Sequence, residues 1–152
     1  MSGLLWAALL SMTPIGELRA GIPVAIAYGV NPWLAYVVCV LANIAIIPIV
    51  MFFLEWMHKR FMHMARYRTA FDRYMDRTRG RTHNMVEKYG VFGLALFVAV
   101  PLPVTGAYTA TVAAWFFGLN KWKAFWSISA GVIIAGAIVS GIAGGIKLLA
   151  IV

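Results

Sequence analysis

Thr13-Pro-Ile-Gly-Glu-Leu-Arg-Ala-Gly-Ile-Pro-Val-Ala-Ile-Ala-Tyr-Gly29 lies inside a long apolar region. It nevertheless carries Pro14, Gly16, Gly21 and Pro23, which interrupt helices, and the charged residues Glu17 and Arg19. Irregular backbone and charge at membrane depth are tolerated only where they are buried in protein or line a cavity. The stretch therefore marks a functional site within a membrane protein. A weaker copy runs from Leu102 to Gly118. A shift of 89 residues puts Pro14 on Pro103, Ala25 on Ala114, Gly29 on Gly118, Asn31 on Asn120, Trp33 on Trp122 and Ala35 on Ala124. Gly-Val-Asn-Pro-Trp-Leu-Ala against Gly-Leu-Asn-Lys-Trp-Lys-Ala carries the match, and the chain reads as an internal duplication.

The surrounding composition agrees. Of 152 residues, 62% are hydrophobic and 12% charged, about half the charge of a soluble domain. The single cysteine, Cys39, cannot form an internal disulfide and reads as a small packing residue. Ser2 to Leu10 is apolar but has no basic segment before it, which argues against a cleavable signal. The net charge of +8 is concentrated between Lys59 and Lys88, where Lys59, Arg60, Arg66, Arg68, Arg73, Arg77, Arg79, Arg81 and Lys88 face only Asp72, Asp76 and Glu87. A basic loop between apolar segments marks the cytoplasmic side. Nothing in it resembles a nucleic-acid recognition module, so no nucleic acid is expected as a partner.

Taken in order, residues 1–55 form the first unit. Met1 to Met12 is about 18 Å long as a helix, too short for a hydrocarbon core of about 30 Å. Thr13 then reads as an N-cap, with Pro14 at the first position of a second short helix ending at Tyr28. Two short apolar helices joined by a break predict a re-entrant hairpin over 2–28. The competing geometry is one kinked spanning helix from Leu4 to Ala27. Gly29-Val-Asn-Pro32 is a turn, and 32–55 make a transmembrane helix anchored by Trp33 and Trp56. Residues 56–86 form a basic, partly helical connector suited to a surface of anionic lipid. The second unit, 87–152, repeats the plan with a hairpin over 87–117, a turn at Gly118-Leu-Asn120 and a transmembrane helix over 121–150. In that helix Ala137, Gly141 and Gly145 recur every four residues, a stripe suited to a homodimer seam or to the chain's own hairpin. With the connector cytoplasmic, the two units have opposite orientation. The expected fold is an all-α integral membrane protein, an inverted repeat of two units, each a re-entrant helical hairpin plus a transmembrane helix. That is the architecture of alternating-access transporters.

In such a repeat the hairpin tips meet near the midplane. Pro14 and Pro103 each open a half-helix, so both tips present unpaired N–H groups and the positive end of a helix dipole, a pair of ends suited to an anion. Arg19 adds a fixed charge that suits phosphate. Thr13, Thr105, Tyr108, Thr109 and Thr111 supply hydroxyls for a head group. Glu17 is the one acid in the buried part of either hairpin. A carboxyl in a low-dielectric site has its pKa raised toward neutrality, which suits proton coupling. A purely structural role stands beside this one: Glu17 and Arg19 are i,i+2, do not face each other on one helix, and each can pair elsewhere, for instance with Asn43. No His-Glu-x-x-His, Gly-x-Ser-x-Gly or phosphate loop is present, and Ser127, Ser129 and Ser140 have no histidine in their segments, which argues against an enzyme. His58, His63 and His83 have no ligand-like spacing, so neither a metal nor another cofactor is expected.

Glu17-Leu-Arg19-Ala-Gly21-Ile-Pro23, Glu87-Lys-Tyr-Gly90 and Pro101-Leu-Pro103-Val-Thr105-Gly106-Ala resemble the small multidrug export protein family of bacteria and archaea, over nearly the whole chain. That family is similar to the wider DedA (VTT/SNARE-associated) superfamily, whose fold pairs two opposed re-entrant hairpins with transmembrane helices. Some DedA members translocate undecaprenyl phosphate or scramble lipids. DedA proteins typically carry arginines in the second hairpin, where this chain has Thr105-Gly-Ala-Tyr108. The resemblance implies a multi-pass protein of a bacterial or archaeal plasma membrane that moves a lipid or amphiphile. Residues and resemblance together lead to the expectation of a flippase for an anionic amphiphile, a polyprenyl phosphate first. Glu17 is then the proton-coupling group, and Arg19, Thr13, Pro14, Pro103, Thr105 and Tyr108 the binding residues. The alternatives are export of a drug or cation paired with Glu17, and a non-transporting scaffold that recruits partners through the basic loop.

Overall fold

The computed structural model of the chain describes residues 2–14, 16–61, 69, 90–100 and 106–149, and the regular structure among them is all helical. The helices are α1 (Ser2–Ser11), α2 (Glu17–Ala27), α3 (Pro32–Phe61), α4 (Gly90–Ala99), α5 (Ala107–Phe116) and α6 (Lys121–Leu149). Only α3 and α6 among them are long and apolar enough to cross a membrane; at 30 and 29 residues each measures about 45 Å. The four short helices each reach about 15 Å, half the thickness of a hydrocarbon core.

The last three helices restate the first three. Pro32 opens α3 and Lys121 opens α6; Ala27 closes α2 and Phe116 closes α5. The junction between short and long helix is also the same at both places. After α2, the N–H of Gly29 donates to Ile26 O and that of Val30 to Ala25 O, each at 3.0 Å. After α5, Gly118 donates to Trp115 O at 3.1 Å and Leu119 to Ala114 O at 3.0 Å. This Schellman pairing needs a left-handed residue, supplied by Gly29 at φ +80° and Gly118 at φ +66°. Asn31 and Asn120 then cap the long helices, their Oδ1 atoms accepting the N–H of Trp33 at 2.9 Å and of Trp122 at 3.1 Å.

Contacts fix the directions. α1 and α2 form an antiparallel hairpin, with Gly3 against Tyr28 at the open end and Ser11 and the Ala7 carbonyl against Gly21 nearer the tip. α3 and α6 run antiparallel: Glu55, near the end of α3, pairs with Lys121 at the start of α6. At the other end, Tyr36 donates to Ile133 O at 3.3 Å and packs with Val40 on Gly136. α2 packs on α6 and α5 on α3, so each short helix lies against the long helix of the other half. α4 joins α6 where Ser127 donates to Val91 O and Gly131 meets the Ala95 carbonyl. Ile22, Ile47, Val98, Ile128 and Val132 fill the centre, whereas Leu41, Phe52, Phe53, Leu96, Trp126 and Ile142 face outward. An outer coat of large apolar side chains suits lipid as solvent.

The expected layout is refined in four places. α3 continues past residue 55 to Phe61, ending on His58, Lys59 and Arg60, cations that favour the carbonyl end of a helix. α2 begins at Glu17 and α5 at Ala107, not at Pro14 and Pro103. At the first tip the reason is visible. The Thr13 hydroxyl does cap a turn, accepting the Gly16 N–H at 3.1 Å and donating to Leu10 O at 2.7 Å. Glu17, at φ +47°, separates that turn from α2. Lastly, the Ala137–Gly141 stripe faces outward, and no atom lies within 4 Å of a Cβ built on Gly141 or Gly145. The close helix approaches fall at Gly131 and Gly136 instead. The connector beyond Phe61 (Thr69 apart), its Glu87 end and the second tip, including Pro103 and Thr105, lie outside the described residues.

Candidate functional site

The first tip meets the start of α5 at Glu17. This residue is 8% exposed, and its carboxylate lies directly on Gly106, the residue that precedes α5. A methyl group on Gly106 would overlap both carboxylate oxygens. The backbone N–H of Tyr108, in the first turn of α5, donates to the same carboxylate. α5 has no side-chain cap from its own N-cap residue and receives one from the other half of the chain. A carboxylate is well placed there, since it satisfies an otherwise unpaired N–H and meets the positive end of the helix dipole. The Tyr108 hydroxyl reaches back to the Met12 carbonyl, where α1 gives way to the tip. The first tip and the start of α5 are thus tied in both directions.

Arg19, partly buried two residues further along α2, is the cation whose charge acts on the Glu17 carboxylate. The backbone at Glu17 adds strain, because a non-glycine residue in the left-handed region costs about 1–2 kcal/mol. Strain of this kind persists only where the surrounding structure imposes it, and such positions cluster at functional sites.

The structure brings together Glu17, Tyr108 and the Thr13–Pro14 turn, with Arg19 two residues further along α2. The Thr13 hydroxyl is engaged within its own turn. Thr111 is buried and donates to Ala107 O at 2.6 Å, while Thr109 borders an apolar groove between α4 and α5. Asn43, weighed above as a structural partner for Glu17 or Arg19, pairs with neither: it is 0% exposed and both amide atoms lack a hydrogen-bond partner among the described residues. Sequence reasoning missed Gly106. The signal was available, because the 89-residue shift maps Glu17 onto Gly106 and Arg19 onto Tyr108. Glu17 and Gly106, equivalent positions of the two halves, are in contact.

Comparison with curated proteins and with solved structures gives no match. A family model does match, over residues 17–138, and its description is "Putative small multi-drug export protein". The matched span opens on Glu17 and extends through both tips and into the second long helix. The chain is a membrane protein of this small multi-drug export family.

Proposed function

We propose that the protein is an inverted-repeat exporter of an anionic amphiphile, a polyprenyl phosphate being the leading substrate, with Glu17 as its proton-linked gate. The observation that carries this reading is the occupied amino end of α5, where a carboxylate already sits in the position that suits a phosphate head group. Protonated, Glu17 yields the Tyr108 N–H to the incoming phosphate, and Arg19 compensates its charge. Ionised, Glu17 takes the N–H back and expels the anion. Substrate and ionised carboxylate exclude one another, which couples anion movement to a proton. A cationic drug bound to Glu17 would instead draw the carboxylate away and leave the buried N–H unpaired, at a cost of about 1–3 kcal/mol. Exchange of one anion for another leaves no such orphan.

The inverted arrangement draws support from the antiparallel α3 and α6, the common 89-residue spacing, and the contact of equivalent positions at the tips, as at a two-fold axis. Short helices of half-membrane length fit re-entrant hairpins. On this reading Lys59, Arg60, Lys121 and Lys123 face the cytoplasm from the plasma membrane of a bacterium or archaeon, and kinship with DedA proteins rests on the tip motifs.

The test is thermal stabilisation of purified wild type, Glu17→Gln and Arg19→Ala by farnesyl phosphate, with tetraphenylphosphonium as the cationic comparison, from acidic to neutral pH. The expected result is saturable stabilisation of wild type by farnesyl phosphate that strengthens as pH falls. It is weakened in Arg19→Ala and loses its pH dependence in Glu17→Gln. Stabilisation by tetraphenylphosphonium alone, strengthening as pH rises, would overturn the proposal in favour of cation export.

A further inference from the structure

We infer a second, separate site for the same kind of ligand, a loading site at the end of the bundle where α3 finishes and α6 begins. The inference rests on the anionic-amphiphile reading above. A groove of about 410 Å³ opens there, lined by Glu55, His58, Lys59, Trp115 and Lys121, with Met51 and Leu119 among its apolar walls. Lys121 is paired with Glu55, and Lys59 adds a second ammonium, so two lysines face one carboxylate and the groove is net cationic. Trp115 stands edge-on to His58 with ring centroids 5.4 Å apart. Leu119 is shared with a second groove of about 280 Å³ between α4 and α5, walled by Leu94, Phe97, Ala113 and Phe117. A cationic groove that adjoins an apolar one has the chemistry of an amphiphile's head and tail. A phosphate monoester sits between Lys59 and Lys121 in charge-assisted hydrogen bonds, and its hydrocarbon chain crosses Leu119 to lie along α4.

The duplication shows what is particular to this end. The 89-residue shift places Gly144 where Glu55 is, Leu148 where Lys59 is, Ile26 where Trp115 is and Pro32 where Lys121 is. Of the ionisable lining residues, only His58 has an ionisable counterpart, Lys147. One half of the repeat has built a head-group receptor, and the equivalent place on the other half has not. A positive mouth raises the local concentration of anions and their rate of capture. The protein therefore captures its cargo from the lysine end and releases it at the opposite one. With the lysine end cytoplasmic, that polarity is outward.

The test follows the indole N–H signal of Trp115 by NMR in the full-length protein, assigned with Trp115→Phe. Farnesyl phosphate, inorganic phosphate and farnesol are titrated separately. Farnesyl phosphate is expected to shift the signal saturably in both wild type and Arg19→Ala. Joint replacement Lys59→Ala and Lys121→Ala is expected to raise the half-saturating concentration by about tenfold or more, the loss of charge-assisted bonds. Inorganic phosphate should need far higher concentration, and farnesol should leave the signal in place. An unmoved signal, an equal response to farnesol or inorganic phosphate, or indifference to the lysine replacements would each overturn the loading site. Silence at Trp115 beside Arg19-dependent stabilisation rejects this site alone. A shift at Trp115 without that stabilisation rejects the gate at Glu17 and leaves the groove standing.

Discussion

A carboxylate that caps a helix from the other half of the chain is sensitive to the volume beneath it. Gly106→Ala puts a methyl group into the space of the Glu17 oxygens, and overpacking of this kind costs about 1–3 kcal/mol. The variant is expected to unfold at a lower temperature in detergent and to lose transport. Glu17→Asp, which withdraws the carboxylate by one methylene, should recover part of the loss in the double variant, and a thermodynamic cycle measures the coupling. Simple additivity of the two changes would sink the proposed contact. At this scale the sequence was partly readable. Glu17 and Arg19 stand out because ionisable groups are costly in apolar surroundings. What Glu17 touches could be read only through the 89-residue shift that pairs it with Gly106, since the left-handed backbone that gives it its reach is predicted by no propensity for glutamate. The unpaired amide of Asn43 was hidden for a similar reason: only packing decides whether a buried amide finds a partner.

The helix junctions make the repeat testable element by element. Gly29 and Gly118 hold matching left-handed positions, so alanine at either should cost about 1–2 kcal/mol. With the two turns belonging to separate hairpins, the double replacement should cost the sum. Unfolding temperatures of the three variants check this; a large loss at one turn and none at the other would mean that the turns are not equivalent. The Gly-x-Asn turns were legible because glycine and asparagine have narrow conformational reasons to sit there. The helix starts were not. Proline favours the first turn of a helix, which pointed to Pro14 and Pro103, but the backbone at Glu17 moves the start of α2 past its proline. α3 runs on past the expected membrane segment to Phe61, into the connector that was expected to be partly helical.

For the whole molecule the decisive question is which ends share a side of the membrane. Tyr28 and Phe117 are equivalent under the 89-residue shift and lie at exposed turns, one at the open end of the first hairpin and one beside the lysine groove. In a Cys39→Ala background, a membrane-impermeant maleimide applied to intact cells is expected to label Tyr28→Cys and spare Phe117→Cys until the membrane is opened. Labelling of both from outside would rule out the inverted repeat. The all-helical plan with two long apolar helices was readable because apolar runs and breaks are properties of long segments, whereas the grooves depend on how three helices meet. Glu17 resting on Gly106 has a consequence for ancestry. Two separate copies of a half-length chain, paired about a two-fold axis, would place identical residues at that point: two carboxylates that repel, or two glycines with nothing to titrate. In the inverted repeat proposed above, fusion into one chain lets the axis hold one acid and one glycine, so that a single carboxyl serves both halves.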